Sequence, residues 1–116
     1  RRREKDIKKG CFAYLQTLEN QGVIAWYDRL NSGKYFIPGS NGYRGRLVQG
    51  CRNGTSDAYA ILNDGRMIWI EFKTTKGKLT EDQTKFADMV SSLEHLYIVV
   101  RQVSELEELM ERLIWT

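Results

Sequence analysis

Thr55-Ser56-Asp57-Ala58-Tyr59-Ala60-Ile61-Leu62, then Asn63-Asp64-Gly65, then Arg66-Met67-Ile68-Trp69-Ile70-Glu71-Phe72-Lys73 form one continuous stretch, and it predicts a β-hairpin. Both arms are rich in β-branched, aromatic and aliphatic residues, and Asn-Asp-Gly is a strong turn signal. A three-residue loop at Asn63–Gly65 pairs Leu62 with Arg66. Paired residue numbers then sum to 128, which sets Asp57 directly opposite Glu71. Directly opposed residues have Cβ atoms roughly 4.5–5.5 Å apart. Side chains alternate along a strand, so Glu71 and Lys73 share a face and Phe72 points the other way. A two-residue Asp64-Gly65 turn would instead set Asp57 opposite Phe72, on the wrong face.

In the first register, two carboxylates and one lysine converge. Opposed like charges destabilise a sheet, and a divalent cation between them would remove that cost. Mg²⁺ uses one or two carboxylates, waters and phosphate oxygens. A neighbouring lysine can orient a water or steady charge developing on phosphorus. Asp57, Glu71 and Lys73 therefore fit phosphodiester hydrolysis. The plainer reading stays open: Glu-x-Lys is common on solvated strand faces and in cross-strand ion pairs, and Asp57 alone suits a strand edge.

With 116 residues, 18 basic and 15 acidic for a net charge of +3, the chain is expected to form one domain over 1–116 around one core. Its charges are distributed unevenly. Arg1, Arg2, Arg3, Lys5, Lys8 and Lys9 crowd the N-terminus. Arg44, Arg46 and Arg52 lie in a glycine-rich stretch, and Lys73, Lys76 and Lys78 follow the hairpin. Glu105, Glu107, Glu108 and Glu111 gather near the other end. A basic side suits a polyanion, although solubility alone also explains such asymmetry. Cys11 and Cys51 lack zinc-site spacing, and we expect both to be reduced in an intracellular compartment. No apolar run reaches the roughly 18 residues of a membrane span, and no signal peptide is evident. The chain begins without methionine, so a few residues are expected upstream.

Ile7, Cys11, Tyr14 and Leu18 mark one face of a helix over about 3–21, ended at Gly22. Residues 23–29 read as a strand. Residues 31–54 read as a long loop with a short strand near Arg46-Leu47-Val48. Thr80-Glu81-Asp82-Gln83 has capping-box form and opens a helix with a Phe86, Met89, Val90 and Leu93 stripe. A strand over 96–101 follows, reached by an expected right-handed crossover. Ser104–Glu107 reads as a second capping box opening a final helix to about Ile114. On this helix Leu106, Leu109, Met110, Leu113 and Ile114 fit the core or an interface, and Trp115 hints at an exposed patch. The expected architecture is a mixed α/β sheet flanked by helices, in the order α-β-β-β-α-β-α. Gln83 has two available roles, its own cap or contact with Glu71 and Lys73. Glu4 is either solvated at a helix start or close to a metal.

Taken in order, Glu4-x-x-Ile7, Gly54-Thr55-Ser56-Asp57, Ile70-Glu71-Phe72-Lys73, Gly77-Lys78-Leu79-Thr80-x-x-Gln83 and Tyr97-Ile98-Val99-Val100 resemble a VRR-NUC domain of the PD-(D/E)XK nuclease superfamily, related to Holliday-junction resolvases. The resemblance covers nearly the whole chain and implies a restriction-endonuclease-like fold. It also implies a Mg²⁺-dependent endonuclease, with Mn²⁺ as a substitute, resembling small stand-alone phage members that act as homodimers on branched DNA. A phage protein would work in the cytoplasm of a bacterial host. By resemblance, Asp57, Glu71 and the Phe72 carbonyl are metal ligands, with Glu4 as a further acid and Glu19 a poorer candidate. Lys73 resembles the catalytic lysine and Gln83 the glutamine of the following helix. Ser56 departs from the superfamily's proline. Charge and loop position alone assign Arg44, Arg46, Lys76 and Lys78 to phosphate contacts. The rival expectations are a non-catalytic nucleic-acid-binding module of the same fold and a metal-free interaction domain.

Overall fold

A computed structural model describes residues 3–115. Helix α1 (Glu4–Asn20) precedes strand β1 (Ile24–Arg29). Strands β2 (Lys34–Ile37) and β3 (Arg46–Gln49) follow, then β4 (Ala58–Leu62) and β5 (Met67–Phe72). Helix α2 (Glu81–Ser92), strand β6 (Leu96–Val100) and helix α3 (Val103–Trp115) complete the chain. The fold is α/β with a four-stranded mixed sheet, β1-β4-β5-β6, flanked by helices. Strands β1, β4 and β5 are antiparallel neighbours, and β6 joins β5 in parallel after α2.

The hairpin takes the three-residue turn. Ala58 pairs with Ile70, Tyr59 with Trp69 and Ala60 with Ile68. At the turn the Leu62 N–H donates to the Arg66 carbonyl at 2.8 Å, and the Gly65 N–H to the Leu62 carbonyl at 3.0 Å. Gly65 has φ +95°, the left-handed conformation that closes such loops and costs glycine little. Arg66 braces this corner by pairing with Asp64 at 2.7 Å. It also donates to the Leu113 carbonyl at 2.6 Å, at the end of α3 where carbonyls lack helical partners.

Period-two alternation sorts the sheet into two faces. Ala58, Ala60, Leu62, Ile68, Ile70, Phe72 and Val100 pack on α1 and α3 with Ile7, Cys11, Leu15, Leu106 and Met110 in the main core. Phe12 and Phe72 meet edge-on with ring centroids 5.5 Å apart. The opposite face carries Tyr59, Trp69, Glu71 and Tyr97 toward α2, where Phe86 meets Trp69 edge-on at 5.2 Å. Helix α1 ends as expected at Gly22, φ +72°. The Val23 N–H bonds the Leu18 carbonyl and the Gly22 N–H the Glu19 carbonyl, the paired closure of a Schellman motif.

Four expectations need correction. The order contains two more strands than α-β-β-β-α-β-α, because 31–54 is not a loop around one short strand. Its Arg46–Gln49 strand pairs with Lys34–Ile37 in a separate two-stranded sheet. The β4 strand starts at Ala58, so Asp57 lies just before it. On α2 only Val90 is buried, while Met89 and Leu93 are exposed, because the helix touches the sheet along a narrow line. Ser104 lies inside α3. The helix start is closed instead by Glu105, whose carboxylate accepts from the N–H groups of Arg101 at 2.6 Å and Gln102 at 3.1 Å. No helix among the described residues is long and apolar enough to cross a membrane.

Candidate functional site

Asp57 stands where β4 begins, and a buried, sharply turned approach holds it there. Gly54 has φ +92°, and a Cβ at this position would overlap the Asp82 carbonyl of α2. The segment can therefore lie this close to the helix only with glycine. Ser56 is fully buried, and its hydroxyl donates to the Ala58 carbonyl at 3.0 Å. Asp57 then turns its carboxylate to the strand opposite, where Oδ2 accepts from the Phe72 N–H at 2.9 Å. The register that pairs Ala58 with Ile70 continues to Asp57 and Glu71.

Glu71 is the unusual member of the site. It is 2 % exposed, in a position where charged side chains are rare unless paired. Burial pushes its carboxyl up to about 8. A shared hydrogen bond and charge repulsion with Asp57 add to the rise, the Lys73 charge opposes it, and the more remote Glu4 adds slightly. One oxygen, Oε2, accepts from Gln83 Nε2 at 3.3 Å. The other, Oε1, is buried and accepts no hydrogen bond from an N–H or O–H group of the described residues. Such an atom normally costs about 1–3 kcal/mol, and buried charges are otherwise paired or bound to a cation.

Gln83 fills both of its available roles. Its Oε1 accepts from the Thr80 N–H at 2.9 Å, while its own N–H donates to Thr80 Oγ1 at 3.2 Å. This complete capping box aims the amide nitrogen at Glu71. Phe72 itself points into the main core, fully buried, so only its backbone is available to the site. Lys73 is half-buried at the strand end, its backbone N–H bound to the Val100 carbonyl at 3.0 Å. Glu4 pairs with Lys8 at 3.3 Å and remains close enough to act on Glu71 electrostatically. Glu19 lies near the far end of α1, hydrogen-bonded to Gln16, and takes no part. No cluster of three or more His, Cys, Asp or Glu side chains poised to hold a metal occurs among the described residues. The carboxylate pair and the unpartnered oxygen suit a hard cation that completes its shell with water and phosphate.

Tyr97 and Arg101 were assigned no function from sequence. Tyr97 lies on the Glu71 face, and its buried hydroxyl has no partner. Burial and the charges of Glu71 and Asp57 raise its pKa. Arg101 donates to the carbonyls of Thr74 at 2.7 Å and Gly77 at 2.6 Å, stapling the basic loop that displays Lys76 and Lys78. Both lysines are exposed, as are Arg44 and Arg46 on the separate β2–β3 hairpin. Lys5, Lys8, Lys9 and Arg29 line a cleft of about 410 Å³ together with Glu4. The clustering of Lys5, Lys8 and Lys9 at the N-terminus is the signal in the sequence, which does not mark Arg29, while Arg1 and Arg2 fall outside the described residues. A second cleft, lined by Val23, Leu62, Asn63, Ile114 and Trp115, sits at the turn end of the β4–β5 hairpin, the opposite end from the acids.

Asp57, Glu71, Lys73 and Gln83 thus meet at one end of the sheet, with Glu4 within electrostatic range. The sequence matches no known family model, and no curated protein shows significant similarity to it.

Proposed function

We propose that the protein is a Mg²⁺-dependent endonuclease that hydrolyses phosphodiester bonds in DNA, with branched DNA as the preferred substrate and a homodimer as the acting form. The observation that carries this reading is the pairing of half-buried Asp57 with buried Glu71, one of whose carboxylate oxygens is unpartnered, with Lys73 on the same face. The resemblance to VRR-NUC domains, and through them to a restriction-endonuclease-like fold, supports it. Mn²⁺ would substitute for Mg²⁺.

Asp57, Glu71 and the Phe72 carbonyl would hold the ion, and Glu4 would support a second. A bound divalent cation supplies charge neutralisation at the phosphate and lowers the pKa of a water. Its charge would also keep Glu71 ionised near neutral pH, where the carboxyl otherwise retains its proton. Hydrolysis joins a water oxygen to phosphorus and breaks one P–O ester bond. Its products are a phosphate monoester and a hydroxyl, which receives the proton. Lys73 orients the water or stabilises the charge on the phosphoryl oxygens. Gln83 fixes Glu71 through its amide and so holds the carboxylate in register with Asp57. Arg44, Arg46, Lys76 and Lys78 contact backbone phosphates. Paired cuts across a four-way junction need two such sites at fixed spacing, which a two-fold dimer provides.

The test is incubation with an end-labelled four-way junction and a matched linear duplex, with Mg²⁺, Mn²⁺ or chelator. Metal-dependent paired nicks on the junction are the expected result. Cutting of both substrates would remove the branch preference. Binding of DNA without cleavage under any metal would leave a non-catalytic binding module.

A further inference from the structure

The β2–β3 hairpin stands apart from the domain. No residue between 30 and 57 belongs to the main core. The longest dimension is 56 Å against 33 and 32 Å, and the radius of gyration is 15.9 Å, where a compact domain of this length has about 13 Å. The hairpin is nonetheless well built. Its tip is Ser40-Asn41-Gly42-Tyr43, where the Tyr43 N–H donates to the Ser40 carbonyl at 3.0 Å. Asn41 and Gly42 have φ +52° and +84°, the type I′ geometry that best matches strand twist. At the base, the Cys51 N–H donates to the Asn31 carbonyl at 2.6 Å, and Gln49 Nε2 donates to the carbonyls of Gly33 and Cys51 at 3.0 and 2.8 Å. The Leu30 N–H bonds the Asp57 carbonyl at 2.7 Å, so the hairpin is rooted at the acid end of the sheet.

Its surface is both apolar and cationic. Tyr43 is 81 % exposed, Phe36 61 % and Leu47 63 %, and Phe36 and Leu47 are direct cross-strand partners on one face. A two-stranded hairpin with uncovered apolar faces is at best marginally stable alone. Between Asp28 and Asp57 the chain has no carboxylate and five basic residues, Arg29, Lys34, Arg44, Arg46 and Arg52. Two such arms packed on each other would oppose like charges with no acid to compensate. A nucleic acid supplies phosphates for the cations and base planes for the rings.

We infer that the β2–β3 hairpin is a binding arm that stacks Tyr43 and Phe36 on unpaired bases while Arg44 and Arg46 hold the flanking phosphates. This rests on the nuclease reading and adds a means of detecting unpaired bases near the site. Stacking on aromatic side chains is tolerant of sequence, so the arm selects bases that are free to unstack.

The test uses the full chain in chelator, where cleavage cannot intervene. Binding is measured to a duplex with a central bubble carrying 2-aminopurine and to a fully paired duplex of equal length. Tyr43→Ala and Phe36→Ala, singly and together, should each weaken bubble binding about 5- to 150-fold, and the double variant should lose the 2-aminopurine quench. Fully paired duplex binding should change little, and thermal melts should match the parent. Arg44→Ala should weaken both probes alike. Equal loss on both probes with the aromatic variants, or no loss on the bubble, overturns the arm. So does a fall in oligomeric mass, which would give the hairpin to a second copy. A parent that cuts no DNA yet shows arm-dependent bubble binding fails only the nuclease reading. A parent that cuts DNA with bubble binding indifferent to the arm fails only this inference.

Discussion

Replacing Glu71 with glutamine should stabilise the metal-free protein while destroying its activity. Glu71 is 2 % exposed and its carboxyl is pushed from 4.5 to about 8. In the unfolded chain it ionises near 4.5, so above that pH folding must take up a proton. The folded state then binds more protons than the unfolded state, and stability falls as pH rises from 4.5 towards 8. At about 1.36 kcal/mol per pH unit, the cost is about 3 kcal/mol at pH 7. Glu71→Gln removes the titrating group, retains an acceptor for Gln83 and offers Asp57 an N–H. The variant should therefore melt about 10 °C above the parent at pH 7, taking roughly 4 °C per kcal/mol. The gap should shrink to under about 0.5 kcal/mol at pH 4.5. Thermal denaturation in chelator from pH 4.5 to 8 measures both quantities. Added Mg²⁺ should stabilise the parent by mass action, by about 2.7 kcal/mol at a hundredfold excess over Kd, and leave the variant unmoved. A parent that grows more stable between pH 5 and 8, or a variant no more stable than the parent at pH 7, would refute the reasoning.

Three further outcomes follow from the same geometry. Lys73→Ala should abolish cleavage while DNA binding persists, as gel-based nicking and anisotropy would show; equal cleavage rates would remove its role. Gln83→Ala breaks the capping box and frees Glu71 Oε2, so helix melting should register a loss of about 1–2 kcal/mol. Gln83→Glu should restore the cap but not cleavage, because it places a third carboxylate beside Asp57 and Glu71. Arg101→Ala releases the Thr74 and Gly77 carbonyls, and hydrogen exchange in 74–79 should quicken while the sheet amides stay protected; unchanged exchange there would mean the loop holds itself.

Much of the site was legible because it depends on local rules. Asn63-Asp64-Gly65 marks a tight turn of three or two residues with glycine suited to the left-handed position, and the chain takes the three-residue form. That turn fixes the register, and the period of two then sends Asp57, Glu71 and Lys73 to one face. The Thr80–Gln83 capping box is likewise complete within four residues. The β2 strand was less legible because Lys34–Ile37 has no burial pattern: all four residues are exposed, and its pairing with β3 gains no core contact. Helix α2 was over-read for the related reason that a stripe of apolar residues does not say how wide a surface will cover it.

The sequence by itself determined that a hairpin forms and narrowed its register to two, one of which brings two acids and a lysine together, because turn chemistry and strand alternation act between neighbours; the three-residue turn that the folded chain adopts selects that one. Only the tertiary structure decided what that convergence is worth chemically. Helix α2 had to pack on the sheet before Glu71 was sealed from water, before one of its oxygens was left without a partner, and before Gln83 could cap its helix and reach Glu71 at once. Tyr97 and Arg101 joined the site region through parallel pairing with β5 and a long reach to the 74–77 loop. Burial, and with it the shift of a carboxyl from 4.5 to about 8, is a property of everything packed around a residue.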